Sequence, residues 1–368
     1  MSDYQLTFLE LGGKPFERGC NHGEALKVNI QANIDTYLDR FLASGLNTSA
    51  AIKEGNNWIK PIQEQNEDYA EEMRGISEGA GIDLGKIAML NARYEITFGL
   101  MKDDAQKFNA HHEPDGCTTF GALPEATKNG HTILGQNWDW LSGIYGHTVV
   151  TKIKNNNKPD LLFYTEAGIV GGKMGLNEYG IGLVENGLVS EFDGQNKYKK
   201  PFHLRCREVL EGTTINDAMA TVLSTPRVCS ANFVIGHADG EIINLEASPN
   251  AVSTHFPLNG LITHSNHFMD ARHGISQMEK LNPSTLFRAN RLDKLLRKNM
   301  GKLATKHYQL ALSDHFGFPN SICRHIDDSL EPSKQTMTNA SFIIDLNERQ
   351  IKVSNGPPCE HSYQTYAI

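Results

Sequence analysis

The stretch Asp115-Gly116-Cys117-Thr118-Thr119-Phe120, followed by Gly135-Gln136-Asn137-Trp138-Asp139-Trp140, holds the residue types best suited to covalent chemistry in this chain. A thiol near its ordinary pKa of about 8.5 is only a few per cent thiolate at neutral pH, so a nucleophilic cysteine needs a base or a lowered pKa. A cysteine that begins a chain carries its own base, because an α-amine with a pKa near 8 lies beside the side chain. Inside the chain the nitrogen of Cys117 is an amide and cannot serve. Cleavage between Gly116 and Cys117 would expose it. Gly116 suits such a cut: no side chain shields its carbonyl, and it tolerates a strained backbone. The Cys117 thiol could attack that carbonyl, form a thioester and leave water to complete the cleavage. Taken alone, Asp-Gly-Cys is more often a turn followed by a buried cysteine.

The elements around this stretch must position it. Residues 117–123 and 131–138 read as strands, and Lys128-Asn129-Gly130 as the turn between them, since Asn-Gly is a strong hairpin signal. The hairpin returns Asp139 toward Cys117, where its carboxylate could accept a hydrogen bond from the new α-amine or orient it. The plainer alternative is an aspartate capping a loop. Upstream, a short alternating strand at 5–11 and a turn at 12–19 precede a helix over 24–42, with Leu26, Ile30, Ile34, Leu38 and Leu42 as its buried stripe. Helical patterns follow at 50–79 and 84–99, with Asp83 as an N-cap. Arg93 and Glu95 read as an ion pair at a helix interface, and His22 as a capping or packing residue. Residues 101–114 are polar and aperiodic and read as a surface loop, in which His111-His112-Glu113 lacks a partner cluster at metal-ligand spacing.

After Cys117 strands dominate: 148–154, 160–165, 180–184, 231–237, 241–246 and 251–255, with a turn at Asp239-Gly240. The glycine-rich run 168–175 reads as tight turns, because Lys173 lacks the Ser or Thr that a phosphate loop requires. Helical patterns occupy 201–211, 215–223, 284–298 and 304–314, and a final hairpin joins 340–345 to 350–355 through a turn at 347–349. His264 and His267 stand at His-x-x-His spacing without carboxylate or cysteine neighbours, and read as packing residues.

The composition is that of an ordinary globular chain: 368 residues, 39% hydrophobic, 21% charged, net charge −8. Nothing in it calls for nucleic acid or an anionic membrane as a partner. The start carries no basic or long apolar run, no stretch could span a bilayer, and the six cysteines are scattered with no Cys-x-x-Cys pair. A cytoplasmic chain with free thiols is the expectation. Neither a metal nor an organic cofactor is expected.

The blocks 115–119, 135–139 and 263–267 together resemble the acyl-coenzyme A:6-aminopenicillanate acyltransferase family of self-cleaving N-terminal-nucleophile enzymes. Further family-like segments are Gly13-x-Pro15-Phe16-Glu17 with His22-Gly23, residues 69–80 with 89–95, Thr165–Gly168, Gly175–Asn177, Leu245–Pro249 and Ser321–His325. The resemblance implies an α+β fold, one αββα sandwich of two antiparallel sheets between helical layers, made as a precursor. Residues 1–116 would form a mostly helical part, and 117–368 the part that begins with the nucleophile, the two staying associated. It implies a role for Ser248 in cleavage beside Gly116 and Cys117, and for Asn266 as a donor to the oxyanion. It also implies an arginine paired with Asp139, which by spacing falls at Gln335 or Lys334 and would therefore be missing or moved. The C-terminus lacks the peroxisomal address of the fungal penicillin-making relatives. The function expected is an N-terminal-cysteine amidohydrolase or acyltransferase acting on a small acyl amide or acyl thioester. Homo-oligomerisation stays open. The alternatives are a catalytically silent binding protein of the same fold and a thiol hydrolase with a histidine base.

Overall fold

The computed structural model describes residues 6–106, 116–274 and 276–368; the His111-His112-Glu113 cluster and Asp115 lie outside them. The chain begins with strand β1 (Thr7–Leu11) and helices α1 (Pro15–Ala43), α2 (Thr48–Gln65), α3 (Glu67–Ala80), α4 (Leu84–Asn91) and α5 (Arg93–Gln106). Strands β2 (Thr118–Ala122), β3 (Ile133–Leu141), β4 (Thr148–Ile153), β5 (Leu161–Glu166), β6 (Met174–Asn177) and β7 (Ile181–Gly187) follow. Helices α6 (Phe202–Leu210) and α7 (Ile215–Leu223) lead to β8 (Ala231–His237), β9 (Glu241–Ala247), β10 (Val252–His255) and β11 (Leu261–His264). Helices α8 (Met278–Leu281), α9 (Thr285–Arg297) and α10 (Thr305–Leu312) precede β12 (Thr336–Asp345), β13 (Gln350–Asn355) and β14 (Tyr363–Ala367).

The strands form two sheets, in the orders β1-β4-β5-β6-β7-β8-β9-β10 and β11-β2-β3-β12-β13-β14. Strands β2 and β3 of the second sheet lie against β7 and β8 of the first. Helices α6 and α7 cover the outer face of the first sheet, and α9 and α10 that of the second. The layer order is thus αββα. Among the described residues every pairing of these strands is antiparallel but one: β1 runs parallel to β4. The second helix layer has its own apolar cluster, in which Leu292 and Leu296 of α9 and Tyr308 of α10 pack on Phe120 and Ile133. Among the described residues no helix is long and apolar enough to cross a membrane.

Local rules account for where the observed elements depart from the expected ones. The turn at 12–19 ends early, because Pro15 starts α1 and the Glu17 carboxylate accepts from the Lys14 N–H at 3.0 Å. The buried stripe of α1 is Leu26, Ile30, Ile34, Tyr37 and Phe41, while Leu42 is 58% exposed. A strict four-residue step outruns the 3.6-residue turn, so the stripe drifts back by one. The 50–79 pattern is two helices meeting at Asn66, whose side chain caps α3 through the Tyr69 N–H at 3.0 Å. Asp83 caps α4 as expected, through the Gly85 N–H. Part of the expected 101–114 loop is the end of α5, and β6 begins inside the glycine-rich run at 168–175.

Helices α1 and α3 touch backbone to backbone. A Cβ on Gly19 would lie 2.1 Å from the Glu72 carbonyl oxygen, and one on Gly75 2.1 Å from that of Phe16. Polar side chains then tie this helical layer to the first sheet. Asn33 donates to the carbonyls of His147 and Ala167, at 2.9 and 3.0 Å, and Asn91 to that of Gly168, at 2.9 Å. His22 accepts the Gly168 N–H at 2.9 Å, and burial pushes its imidazole down to about 4. His22 is therefore a neutral packing residue.

Arg93 and Glu95 do not pair with one another as expected. Arg93 meets Glu166 of β5 at 2.5 Å, whereas Glu95 accepts the Phe202 N–H at 2.7 Å. Neighbours on a helix point to different faces, so residues two apart reach different elements. Glu166 is a hub: Lys173 lies 2.5 Å from the same oxygen as Arg93, and the Tyr37 hydroxyl donates to the other at 2.5 Å. Burial alone would raise this carboxyl, but Arg93 and Lys173 pull it down to about 2. The aromatic residues of the Trp138-Asp139-Trp140 segment close the hub. Trp140 donates to the Tyr37 oxygen at 2.7 Å, and the Lys173 ammonium sits 3.5 Å over the Trp138 ring.

Candidate active site

Strands β2 and β3 pair in the register Thr118↔Asn137, so the β2–β3 hairpin places Cys117 beside Asp139. The Cys117 thiol faces the Asp139 carbonyl oxygen at 3.8 Å, and both residues are fully buried. The Asp139 side chain turns toward β12, where the Thr338 hydroxyl donates to one carboxylate oxygen at 2.6 Å. Arg324 Nε lies 3.6 Å from the other. Asp139 therefore has an arginine partner, but at Arg324. The expectation of Gln335 or Lys334 is corrected: Gln335 precedes β12 and binds the Leu330 carbonyl, while the irregular segment after α10 folds Arg324 inward. Thr338 holds that segment from both sides, accepting from the Arg324 N–H at 2.9 Å and donating its own N–H to the Arg324 carbonyl at 3.1 Å.

Arg324 also explains the glycine at 116. A Cβ there would lie 2.4 Å from Arg324 Nε and 2.9 Å from Cζ, so any side chain would displace the guanidinium from Asp139. A second buried arginine approaches the same peptide from the other side. Arg288, on α9, directs Nη1 at the Gly116 carbonyl oxygen, at the Cys117 carbonyl oxygen (2.6 Å) and at the Thr118 hydroxyl (2.9 Å). Its Nη2 donates to Asn266 Oδ1 at 2.8 Å. Asn266 in turn donates to the Gly187 carbonyl at 3.0 Å, and its N–H bonds the Thr285 hydroxyl at 2.7 Å. The structure thus gathers Gly116, Cys117, Asp139 and Asn266 and adds Arg288 and Arg324.

Sequence reasoning missed Arg288, although a signal was present. The buried positions of α9 are Thr285, Arg288, Leu292 and Leu296, which puts an arginine on the core stripe of a helix. Buried arginines are rare without a dedicated set of acceptors.

Ser248 belongs to a neighbouring cluster. Its hydroxyl meets His273 Nδ1 at 3.0 Å and the Ala251 N–H at 3.2 Å. Next to it Glu246 receives His264 at 2.8 Å and His255 at 3.1 Å. Burial would raise the Glu246 carboxyl, but hydrogen bonds from His255 and His264 hold it well below the usual carboxylate range. His264 and His267 carry packing bonds, His267 meeting the Thr285 hydroxyl at 3.0 Å. The cluster joins the site through the His264-Ser265-Asn266 run, and the side-chain bonds of Ser248 are made within the cluster. A cavity of about 520 Å³ lies elsewhere, beside Trp58, Glu95, Leu100 and Tyr198, and its lining includes none of Cys117, Asp139 and Asn266.

The family model described as "Acyl-coenzyme A:6-aminopenicillanic acid acyl-transferase" matches residues 126–359. The chain belongs to that family. The 40 kDa form of acyl-coenzyme A:6-aminopenicillanic-acid-acyltransferase from Emericella nidulans is 31% identical over 351 residues, covering 94% of this chain and 91% of that protein. Membership makes this an enzyme of a family that moves acyl groups. Among solved structures, the N-acylethanolamine-hydrolyzing acid amidase ortholog of Caenorhabditis elegans superposes with a TM-score of 0.49 at 15% identity, over 68% of this chain and 100% of that one. A mutant conjugated bile acid hydrolase from Clostridium perfringens gives 0.47 at 13% identity, over 68% of this chain and 97% of that one. The family-model match begins after Gly116 and Cys117.

Proposed function

We propose that the chain cuts itself between Gly116 and Cys117 and then works as an N-terminal-cysteine acyl-transfer enzyme. The observation that carries this reading is the polarised Gly116 carbonyl, whose oxygen accepts from buried Arg288 while Arg324 packs against its Cα. In the precursor, the Cys117 thiol adds to the Gly116 carbonyl carbon and the oxygen becomes an oxyanion facing Arg288. A preorganised donor of this kind contributes about 100- to 1000-fold in rate. Collapse breaks the C–N bond, forms a thioester, and delivers the thiol proton to the departing nitrogen of Cys117. Water then releases the Gly116 carboxylate and restores the thiol.

The new α-amine is the base of the mature enzyme. It takes the Cys117 thiol proton, and the thiolate attacks a linear amide or an acyl thioester. The acyl-cysteine passes its acyl group to water or to an amine, and the protonated amine supplies the leaving group's proton. Asp139, anchored by Thr338 and Arg324, is assigned the role of orienting that amine. Asn266, linked to the cleavage site through Arg288, is the side-chain donor assigned to the oxyanion of the second reaction. Ser248 is assigned a supporting role in cleavage, through the cluster that leads to Asn266. A missing arginine partner would have argued against substrates like those in the relative's name; with Arg324 beside Asp139 that objection falls, and an acyl thioester donor with an amine acceptor belongs in the first substrate screen.

The test is the intact mass of the denatured protein. Two species splitting between Gly116 and Cys117 are expected, with one full-length species of 40.8 kDa from Cys117→Ala. A Cys117→Ala protein that is still cut, or still turns over an acyl substrate, overturns the reading. A histidine-based thiol hydrolase would keep its activity in Gly116→Pro, which cannot be cut.

A further inference from the structure

Four side chains that play no part in the acyl chemistry converge on one point. They are His315 and Cys323 in the segment after α10, His325 two residues on, and Cys359 in the turn before β14. One ligand atom from each lies within 4.8 Å of every other. His315 Nε2 and His325 Nε2 are 3.0 Å apart, and the two sulfurs 3.5 Å. From His325 Nε2 the sulfur of Cys323 is at 3.7 Å and that of Cys359 at 3.4 Å.

These separations match the edges of a tetrahedron around a zinc-class cation. With metal–sulfur bonds of about 2.3 Å and metal–nitrogen bonds of about 2.0 Å, tetrahedral angles require edges of about 3.8 Å between sulfurs, about 3.3 Å between nitrogens and about 3.5 Å between sulfur and nitrogen. These four edges differ from the ideal ones by a few tenths of an ångström, and the remaining two, from His315 to the sulfurs, lie within 4.8 Å. We propose that His315, Cys323, His325 and Cys359 form a Cys2His2 site for one tetrahedral divalent cation of the zinc class. The outer contacts fit as well. His325 points its other nitrogen, Nδ1, at Glu360 Oε1, 3.4 Å away. This carboxylate–histidine–metal arrangement is the one that fixes ring orientation in metal sites. Both cysteines are free thiols, and Cys359 and His315 reach solvent, which gives a metal its entry path.

The ligands are spaced as His-x7-Cys-x-His, with the second cysteine far along the chain, so a search for Cys-x-x-Cys pairs passes over them. Their placement also gives the site a purpose. Cys323 and His325 face the cluster, while Arg324 between them turns the other way, to Asp139 and Gly116. A bound cation would tie this irregular segment to the turn before β14 and leave Arg324 little room to move. The site takes no part in acyl transfer and stands whether or not the chain is cleaved.

The test uses the full-length untagged protein, purified without added metal, chelator or reductant. About one equivalent of zinc per chain is expected by elemental analysis, lost in Cys359→Ser and in the exposed-site variant His315→Ala. Metal-stripped wild type titrated with Co2+ should develop the visible bands of tetrahedral cobalt and a thiolate-to-metal charge-transfer band, both missing in Cys359→Ser. Glu360→Gln should weaken cobalt affinity by about 10- to 100-fold. Zinc content no higher than in His315→Ala overturns the proposal. So do a wild-type cobalt spectrum without thiolate bands and a Cys323–Cys359 disulfide in the protein as isolated. Should Cys359→Ser fail to fold, the stripped wild type and His315→Ala decide the matter.

Discussion

The Glu166 hub and the Gly116–Cys117 site both bury charge in the same interior, and they use it differently. At the hub the charges close on one another: Arg93, Lys173 and the Tyr37 hydroxyl all end on one carboxylate. At the site Arg324 shares itself between Asp139 and the Cα face of Gly116, and Arg288 turns one nitrogen on the carbonyl oxygens of Gly116 and Cys117 and the other on Asn266. A closed cluster stabilises a geometry. Cations directed at a single peptide bond stabilise the charge that appears when that bond reacts. On the proposed function the hub is scaffold and the site is machinery, although residue type and burial alone would rank them together.

Substitutions can break or sharpen this contrast. The largest effect is expected from Cys117→Ala, which should abolish both cleavage and turnover, read by intact mass and by acyl-substrate assay. Next, Glu166→Gln removes the anion between two buried cations and should cost about 3–5 kcal/mol of stability by denaturant titration. Its folded fraction should still cleave at the wild-type rate. A specific loss of cleavage there would erase the distinction. Arg288→Lys keeps the charge but loses the planar fork that spans Gly116 and Asn266. Cleavage by the folded fraction should slow by about 100- to 1000-fold, read by intact mass over time.

The smallest effect concerns pH. The folded value for His22 is about 4, below the ordinary 6.5. The neutral ring is the form the fold prefers, so its contribution is fully present above pH 6.5 and is lost as pH falls through about 4. That contribution is about 3 kcal/mol. His22→Gln, which can still accept the Gly168 N–H, should flatten the stability profile across that window in urea melts.

What could be read from the chain follows the range of the interactions. The β2–β3 hairpin was legible because Asn129-Gly130 is a local signal flanked by strand patterns, and with it came the approach of Asp139 to Cys117. The layer order and Asn266 came with the family likeness. Arg324 was misplaced by ten residues or so because its segment has no periodicity and is positioned by Thr338 on a distant strand. Arg288 went unnoticed because helical patterning scores an arginine as surface. The contact between α1 and α3 is set by glycines in two helices, and neither helix alone reveals it. The four convergent metal-type ligands were separated in the same way, three on one irregular segment and one in a turn of the other hairpin.

The way residues 6–106 are fastened has a consequence of its own. Strand β1 lies in register with β4, and Asn33, Asn91, His22 and Arg93 all end on groups beyond Cys117. Once the chain is cut as proposed, those contacts join two molecules, and the unfolded state becomes two free chains. Refolding would then depend on concentration and on a cysteine terminus that no longer has a glycine before it. The mature protein would be guarded by the slowness of its unfolding, with no easy return once the pieces part.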